Sequence, residues 1–245
     1  MKTFSACLVA SLAASAMAFA PAPTSSSSTT ALNAEKAMPD RLWNKMVVKE
    51  ERSKSVPWLP RATALDGSAP GDNGFDPFFL SSIPKNFAGF IQPPSWEETE
   101  GIDTFYWMRE SELKHGRIAM LAVVGWIATD FGLRFPFEQY SVASIPSGYE
   151  AHNALVAQGT MTVMLLAVGF VEFCTGAALV EVSKGELTDR EPGDYKFDGG
   201  FLKNKDEKAI FDMKTKEVNN GRLAMLAFGG IATQTALGAT SFPYF

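Results

Sequence analysis

Three stretches of the chain combine a long apolar run with polar ends. They lie at about residues 104–135, 151–184 and 206–237, with fully apolar parts at 118–128, 159–180 and from 223 onward. Rising about 1.5 Å per residue, helices of roughly 30 residues cross a ~30 Å hydrocarbon layer with protruding ends. The middle stretch is the clearest span, because the other two carry Glu and Arg in their first turns. The pattern predicts three membrane helices, with a soluble helical bundle as the alternative.

The residues before these helices fall into two parts. Residues 1–31 contain an apolar stretch at 6–18, then Phe19 and a hydroxyl-rich run at 25–30. This order predicts a signal peptide joined to a plastid transit peptide, and a secretory signal followed by a Ser/Thr linker is the alternative. Residues 32–103 are polar and rich in Pro and Gly, which predicts an extended segment with a turn or two of helix. Residues 104–245 form the predicted helical domain.

Composition excludes two broad classes of protein. The net charge of -5 and the scattered basic residues argue against a nucleic-acid partner. Of the two cysteines, Cys7 lies in the leader and Cys174 lies in an apolar run, so no disulfide framework is expected.

One short phrase occurs twice, at residues 112–120 and again 105 residues later (217 minus 112), where each apolar helix begins. In both copies Glu and Arg are five residues apart, about 140° around a helix, so they cannot pair within their own helix. We therefore expect two reciprocal pairs, Glu112 with Arg222 and Glu217 with Arg117, each Arg donating a fork of hydrogen bonds. Ordinary surface charges are the alternative.

Such pairing requires the first and third helices to cross closely about a pseudo-twofold axis, with the middle helix beside them. Small residues at the predicted crossing allow close approach: Gly116, Ala119, Gly221 and Ala224. The predicted fold is thus an all-α membrane protein with three transmembrane helices.

Each copy also carries a Lewis base three residues after its Glu. These are His115 and Asn220, and with the Arg-neutralised carboxylates of Glu112 and Glu217 they suit Mg²⁺ held in a macrocycle. Gln234 lies about 40° from the same face and ~21 Å further along the helix. Glu172, in the middle apolar run, must be protonated, paired across helices or bound to a metal. Donors strung along helices favour several separate pigments over one catalytic centre. We interpret Asp130 as an interfacial polar residue, and also His152 and Gln158, for which ligation is the alternative.

A second repeat precedes the helices. Residues 70–76 resemble residues 192–198, each with Pro-Gly-Asp and then Phe-Asp. Pro-Gly-Asp predicts a turn, while Phe75-Asp76 and Phe197-Asp198 predict an apolar plug followed by a cap. A role in the symmetric core and ordinary turn chemistry both fit.

Together these motifs resemble the light-harvesting chlorophyll-binding family over roughly residues 55–240. The leader and the stretch around Pro57-Trp58-Leu59-Pro60 are similar to the red-lineage fucoxanthin chlorophyll a/c branch of diatoms and their relatives. The Pro-Trp-Leu-Pro stretch further resembles photosystem I-associated members. The resemblance implies axial Mg ligation by six residues and carotenoids held at the Phe75-Asp76 and Phe197-Asp198 turns. The six are Glu112, His115, Glu172, Glu217, Asn220 and Gln234.

This resemblance implies a thylakoid antenna protein without enzymatic activity. Its expected cofactors are chlorophyll a, chlorophyll c and fucoxanthin, with other xanthophylls as candidates. Its expected partners are a photosystem core, photosystem I in particular, neighbouring antenna subunits and thylakoid lipids. The alternatives are a photoprotective, energy-dissipating member of the family and a pigment-free membrane scaffold. An enzyme using Glu-x-x-His as a metal site is disfavoured, because no second nearby His or nucleophile accompanies it.

Overall fold

The computed structural model describes residues 40–83, 102–185, 187, 189–197, 199–239 and 242–244. The chain divides into two units, residues 1–44 and 45–245. The predicted leader lies outside the described residues. In the first unit the description begins at residue 40, where a short helix starts, α1 (Asp40–Met46). The rest of this section concerns the second unit.

The segment after α1 contains a small β-sheet, which the all-α prediction did not include. Strands β1 (Val47–Arg52) and β2 (Pro60–Ala62) pair antiparallel, with Val47 opposite Ala62. The register shifts between Val48 and Arg52, which brings Arg52 opposite Pro60. Proline lacks an N–H, and at the end of an edge strand it is tolerated. A 3-10 turn at Leu80–Ser82 follows the sheet.

Two long helices carry the repeated phrases. Helix α2 (Thr104–Asp130) is capped at its N-terminus by Asp103, whose side chain accepts a hydrogen bond from the Phe105 N–H at 3.2 Å. Helix α5 (Glu207–Ala236) has Glu207 in its first turn, where a negative side chain interacts favourably with the helix dipole. These two helices contact each other along the positions that contain the small residues.

The predicted middle helix is divided in two. Helix α3 (Gly148–Ala157) ends at Gln158, and α4 (Thr160–Ser183) begins after Gly159. Gly159 has φ of 78°, a left-handed conformation that interrupts the helix and that glycine adopts readily. The Gln158 side chain donates to the Gln139 carbonyl at 3.0 Å, next to a second 3-10 turn at Glu138–Tyr140. The continuous helix predicted over 151–184 is therefore wrong at its N-terminal end.

Helix α4 is the one helix in the described part of the chain that is long and apolar enough to cross a membrane. Its large side chains face outward, with Leu165 71% and Phe173 76% exposed, and its buried residues are Leu179 and Ser183. Exposing an apolar helix to water costs about 25 cal/mol per Å² of apolar surface. A lipid environment removes that cost, since lipid chains are themselves apolar.

Candidate pigment-binding site

Helices α2 and α5 touch at a pair of glycines. A Cβ built on Gly116 would lie 3.0 Å from the Cα of Gly221, and the reverse contact is also 3.0 Å. Ala119 and Ala224, three residues further along each helix, are buried as well. The small residues of both phrases thus let the backbones meet with equal spacing on both sides, as the sequence predicts.

The structure contains both of the predicted ion pairs. Arg222 Nε donates to Glu112 Oε1 at 2.7 Å, and Arg117 Nε donates to Glu217 Oε1 at 2.6 Å. All four side chains are about one-third exposed. The predicted fork to a single carboxylate is wrong, however, because the second nitrogen of each Arg binds elsewhere.

That second nitrogen joins the two sequence repeats into one arrangement. Arg222 Nη1 donates to the Gly71 carbonyl at 2.7 Å, and Arg117 Nη1 donates to the Gly193 carbonyl at 2.8 Å. Each Pro-Gly-Asp turn therefore contacts the arginine of one Glu–Arg pair. The arginine donates one hydrogen bond to a carboxylate through Nε and one to a turn carbonyl through Nη1.

Both turn glycines are required by conformation and by contact. Gly71 and Gly193 have φ of 71° and 76°. A Cβ on Gly71 would lie 3.0 Å from Val218, and a Cβ on Gly193 would lie 2.5 Å from Leu113. Leu113 and Val218 occupy the same position of the two phrases, which extends the correspondence to the packing.

The two halves differ in their charges. Arg109 Nη1 lies 2.8 Å from Glu112 Oε2, so Glu112 contacts two cations. Lys214 occupies the position equivalent to Arg109, but it binds Glu191 at 2.5 Å. Among the described residues, Oε2 of Glu217 has no cation. Sequence reasoning missed Arg109, although its i,i+3 spacing from Glu112 is a readable signal.

His115 presents one ring nitrogen outward. Its Nδ1 lies 2.8 Å from the Ser111 carbonyl oxygen, which can only accept, so Nδ1 carries a hydrogen. In the neutral ring Nε2 then has a free lone pair, and no described residue binds it. Ile118, one turn further, is 61% exposed. An outward Lewis base beside exposed apolar surface suits the Mg and the flat apolar ring of a tetrapyrrole.

Asn220 repeats this arrangement on α5. It is exposed and makes no side-chain hydrogen bond to a described residue, and Leu223 one turn further is 65% exposed. Gln234 is also exposed, near the end of α5. His152 and Gln158 lie on and after α3, and Asp130 accepts hydrogen bonds from the Gly148 N–H and the Tyr244 hydroxyl.

Glu172 is paired across helices, which is one of the three possibilities expected for it. Its Oε2 lies 2.6 Å from Lys114 Nζ, on α2. Sequence reasoning missed Lys114, because no repeat or helical spacing connects positions 58 residues apart.

The Phe-Asp turns differ from the prediction in one respect. Asp76 caps the following turn, accepting from Leu80 N at 3.0 Å and Ser81 N at 2.8 Å. Phe75 and Phe197 are 68% and 99% exposed, so neither plugs the polypeptide itself. Both phenyl rings instead add apolar surface to the outside. Asp198 lies outside the described residues.

A buried cluster that sequence reasoning also missed ties the second turn to α2. The Glu110 carboxylate is 3.1 Å from Arg190 Nη2 and accepts hydrogen bonds from the Gly193 N–H and the Tyr195 hydroxyl. Burial raises the pKa of the Tyr195 hydroxyl, and the bond to Glu110 raises it further. The cluster fixes the loop that supplies the Gly193 carbonyl to Arg117.

No three His, Cys, Asp or Glu side chains gather in the described part of the chain. A Mg²⁺ held by a macrocycle needs one axial ligand, and single donors meet that need. The geometry therefore fits several separate pigments.

The chain matches the family model for chlorophyll a-b binding proteins over residues 61–236, which include both phrases and both turns. It is 34% identical to chlorophyll a-b binding protein 6 of Arabidopsis thaliana over 187 residues, 73% of this chain and 66% of that protein. It is 36% identical to light-harvesting complex stress-related protein 1 of Chlamydomonas reinhardtii, over 74% of this chain and 68% of that protein.

A third relative is the fucoxanthin-chlorophyll a-c binding protein F of Phaeodactylum tricornutum. The identity is 32%, over 63% of this chain and 78% of that protein. The chain spans about two thirds of the length of the first two relatives. A family match over most of the chain, with both repeats inside it, places this protein in the chlorophyll a-b binding protein family.

Proposed function

We propose that this protein is a light-harvesting antenna that binds chlorophylls and carotenoids and passes excitation energy to a photosystem. The observation that carries the proposal is the duplicated arrangement of a cross-paired Glu and an outward Lewis base beside exposed apolar surface. Such surface on one soluble chain would be costly in water. Bound pigments and lipid would cover it.

In this proposal α2 and α5 span the membrane together with α4. Their Glu and Arg side chains enter the apolar layer as neutral pairs, which lowers the cost of placing charges there. Their reciprocal contacts support a pseudo-twofold crossing, with α4 beside α2 through the Lys114–Glu172 pair.

The proposed axial ligands are Glu112, His115, Glu172, Glu217, Asn220 and Gln234. Chlorophyll, when bound, would supply the light-absorbing ring and a Mg that accepts a donor atom from the chain. The chain positions and shields the pigments. Each donor residue holds one chlorophyll ring in place, the Arg partners orient the carboxylates, and the apolar surface excludes water. Rigid helices then keep the donors at fixed separations.

The outward Phe75 and Phe197 rings and the Asp76 cap support carotenoid sites at the two turns, Asp198 completing the second. The fucoxanthin-binding relative and the leader favour chlorophyll a, chlorophyll c and fucoxanthin, in a plastid thylakoid membrane after leader removal. The expected partners are a photosystem core, with photosystem I favoured by the Pro-Trp-Leu-Pro stretch, and neighbouring antenna subunits.

Refolding in detergent with and without chlorophyll a tests this function. We expect a folded, coloured protein only when pigment is present, measured by far-ultraviolet circular dichroism and by chlorophyll bound per polypeptide. A protein that folds equally well without pigment and stays colourless would instead be a membrane scaffold.

A photoprotective role is the second candidate, favoured by the identity to the stress-related relative. Fluorescence lifetime of the pigmented protein distinguishes the two. An antenna keeps its lifetime between neutral and acid pH, whereas a dissipating member shortens it in acid.

A further inference from the structure

A further ion pair connects α2 with α4, and its cation, Lys114, lies within the first repeated phrase. Lys114 Nζ lies 2.6 Å from Glu172 Oε2 and donates to Thr175 Oγ1 at 2.9 Å. The same nitrogen lies 5.9 Å from the centre of the Tyr195 ring. Contacts from a helix and a loop therefore fix the ammonium group beside the carboxylate, although the Glu172 side chain is 55% exposed.

Glu172 depends on another helix for this cation. Residues 153–183 contain no Lys or Arg, so α4 cannot neutralise the carboxylate itself. Lys114 engages Oε2, and no described residue donates a hydrogen bond to Oε1. Leu165 and Val168, seven and four residues earlier on the same face, are 71% and 47% exposed. The free oxygen thus lies on an outward apolar surface.

The physical consequence concerns charge. A carboxylate covered by an apolar ring loses its hydration, and an unpaired charge in such a place is strongly unfavourable. A neutral oxygen donor, such as an amide, carries no such penalty. A carboxylate ligand at this surface therefore needs a cation, whereas an amide ligand does not.

We propose that Lys114 is a positioning residue that makes Glu172 competent to bind a chlorophyll Mg. Lys114 does not touch the pigment in this proposal, and it acts by neutralising and orienting the carboxylate. Glu112 and Glu217 likewise each contact an Arg of another helix, and Glu112 contacts Arg109 of its own helix as well. The inference rests on the proposed function, because it presupposes a pigment at Glu172.

The test is reconstitution of the full chain with chlorophyll a, and the readout is chlorophyll per polypeptide together with the visible absorption difference from wild type. The variants are Lys114→Met, Lys114→Arg, Glu172→Gln and the double variant Lys114→Met/Glu172→Gln. Lys214→Met is the matched control, because Lys214 pairs with Glu191, which is not a candidate ligand.

We expect Lys114→Met to lose one chlorophyll, with Lys114→Arg and Lys214→Met unchanged. The double variant should regain that chlorophyll, since a neutral amide oxygen does not need the cation. A purely structural ion pair would also be relieved by Lys114→Met/Glu172→Leu, which removes the stranded charge but offers no donor atom, so we expect that variant to stay one chlorophyll short.

Full pigment in Lys114→Met would overturn the inference, and so would a Lys114→Met/Glu172→Gln variant that stays one chlorophyll short or a Lys114→Met/Glu172→Leu variant that regains the chlorophyll. Either result leaves the antenna function standing, provided that wild type binds pigment. A wild-type protein that binds no chlorophyll would refute the proposed function itself.

Discussion

Replacing Arg117 should destabilise this protein more than replacing Arg222, although the two occupy equivalent positions. Both side chains are about one-third exposed, and each donates to one Glu and to one glycine carbonyl over nearly equal distances. Those losses are the same in Arg117→Leu and Arg222→Leu. The two variants therefore differ mainly in what remains beside the stranded carboxylate.

The remaining cation decides the difference. After Arg222→Leu, Glu112 keeps Arg109 at 2.8 Å, whereas after Arg117→Leu no described cation contacts Glu217. Breaking a fully buried pair costs about 3–5 kcal/mol, and partial exposure reduces this to about 2–3 kcal/mol for Arg117→Leu. The Arg109–Glu112 contact that remains after Arg222→Leu is a charge-assisted hydrogen bond, and such a bond contributes about 1.5–3 kcal/mol. Reduced for partial exposure in the same way, it should make Arg222→Leu about 1 kcal/mol less costly than Arg117→Leu.

The assay is unfolding of the reconstituted protein by denaturing detergent, followed by far-ultraviolet circular dichroism. Adding Glu217→Gln to Arg117→Leu should recover part of the lost stability, because it removes the stranded charge. Equal losses in the two arginine variants, or a larger loss for Arg222→Leu, would refute the assignment of Arg109 as a second partner.

Three further predictions concern the ligand, the turn and the buried loop cluster. His115→Leu should remove about one chlorophyll per polypeptide and leave the helical circular dichroism unchanged, whereas His152→Leu should keep the full count; an unchanged count in His115→Leu would contradict the ligand assignment. Gly193→Ala should lower stability more than Gly185→Ala, because both have left-handed φ (76° and 74°) but only Gly193 would clash with a neighbour. Left-handed strain alone costs about 1–3 kcal/mol, and equal losses would show that the turn does not pack as described. Partial burial and a carboxylate partner raise the pKa of the Tyr195 hydroxyl above its usual 10, so unfolding free energy should fall as pH rises above about 10. Tyr195→Phe should flatten that decline, and an identical slope in both proteins would exclude this contribution.

The cross-helix pairs could be predicted because two signals coincide in the sequence. Glu and Arg sit at the wrong angle for pairing within one helix, and the same phrase occurs twice. Only the reciprocal arrangement satisfies both copies. The second hydrogen bond of each arginine, to a glycine carbonyl, could not be predicted from the sequence, because every residue has a backbone carbonyl and residue type does not mark the one that accepts.

Other features depend on tertiary contacts that have no period in the sequence. A glycine within an apolar run does not predict a helix break, so the left-handed conformation of Gly159 could not be foreseen. The neighbouring Gln158 side chain is bound to the 138–140 turn, a contact that sequence spacing does not reveal. The small sheet escaped prediction because Pro60 opens β2 and a shifted register places it opposite Arg52. Lys114 and Glu172 meet only because α2 and α4 approach each other.

The most direct test of the account is a fluorescence excitation spectrum of the protein purified with its native pigments. We expect light absorbed by carotenoid and accessory chlorophyll to appear as chlorophyll a emission, with an efficiency that falls when detergent unfolds the helices. An excitation spectrum that shows only direct chlorophyll a absorption, or that is unchanged on unfolding, would contradict a protein scaffold that holds pigments for energy transfer.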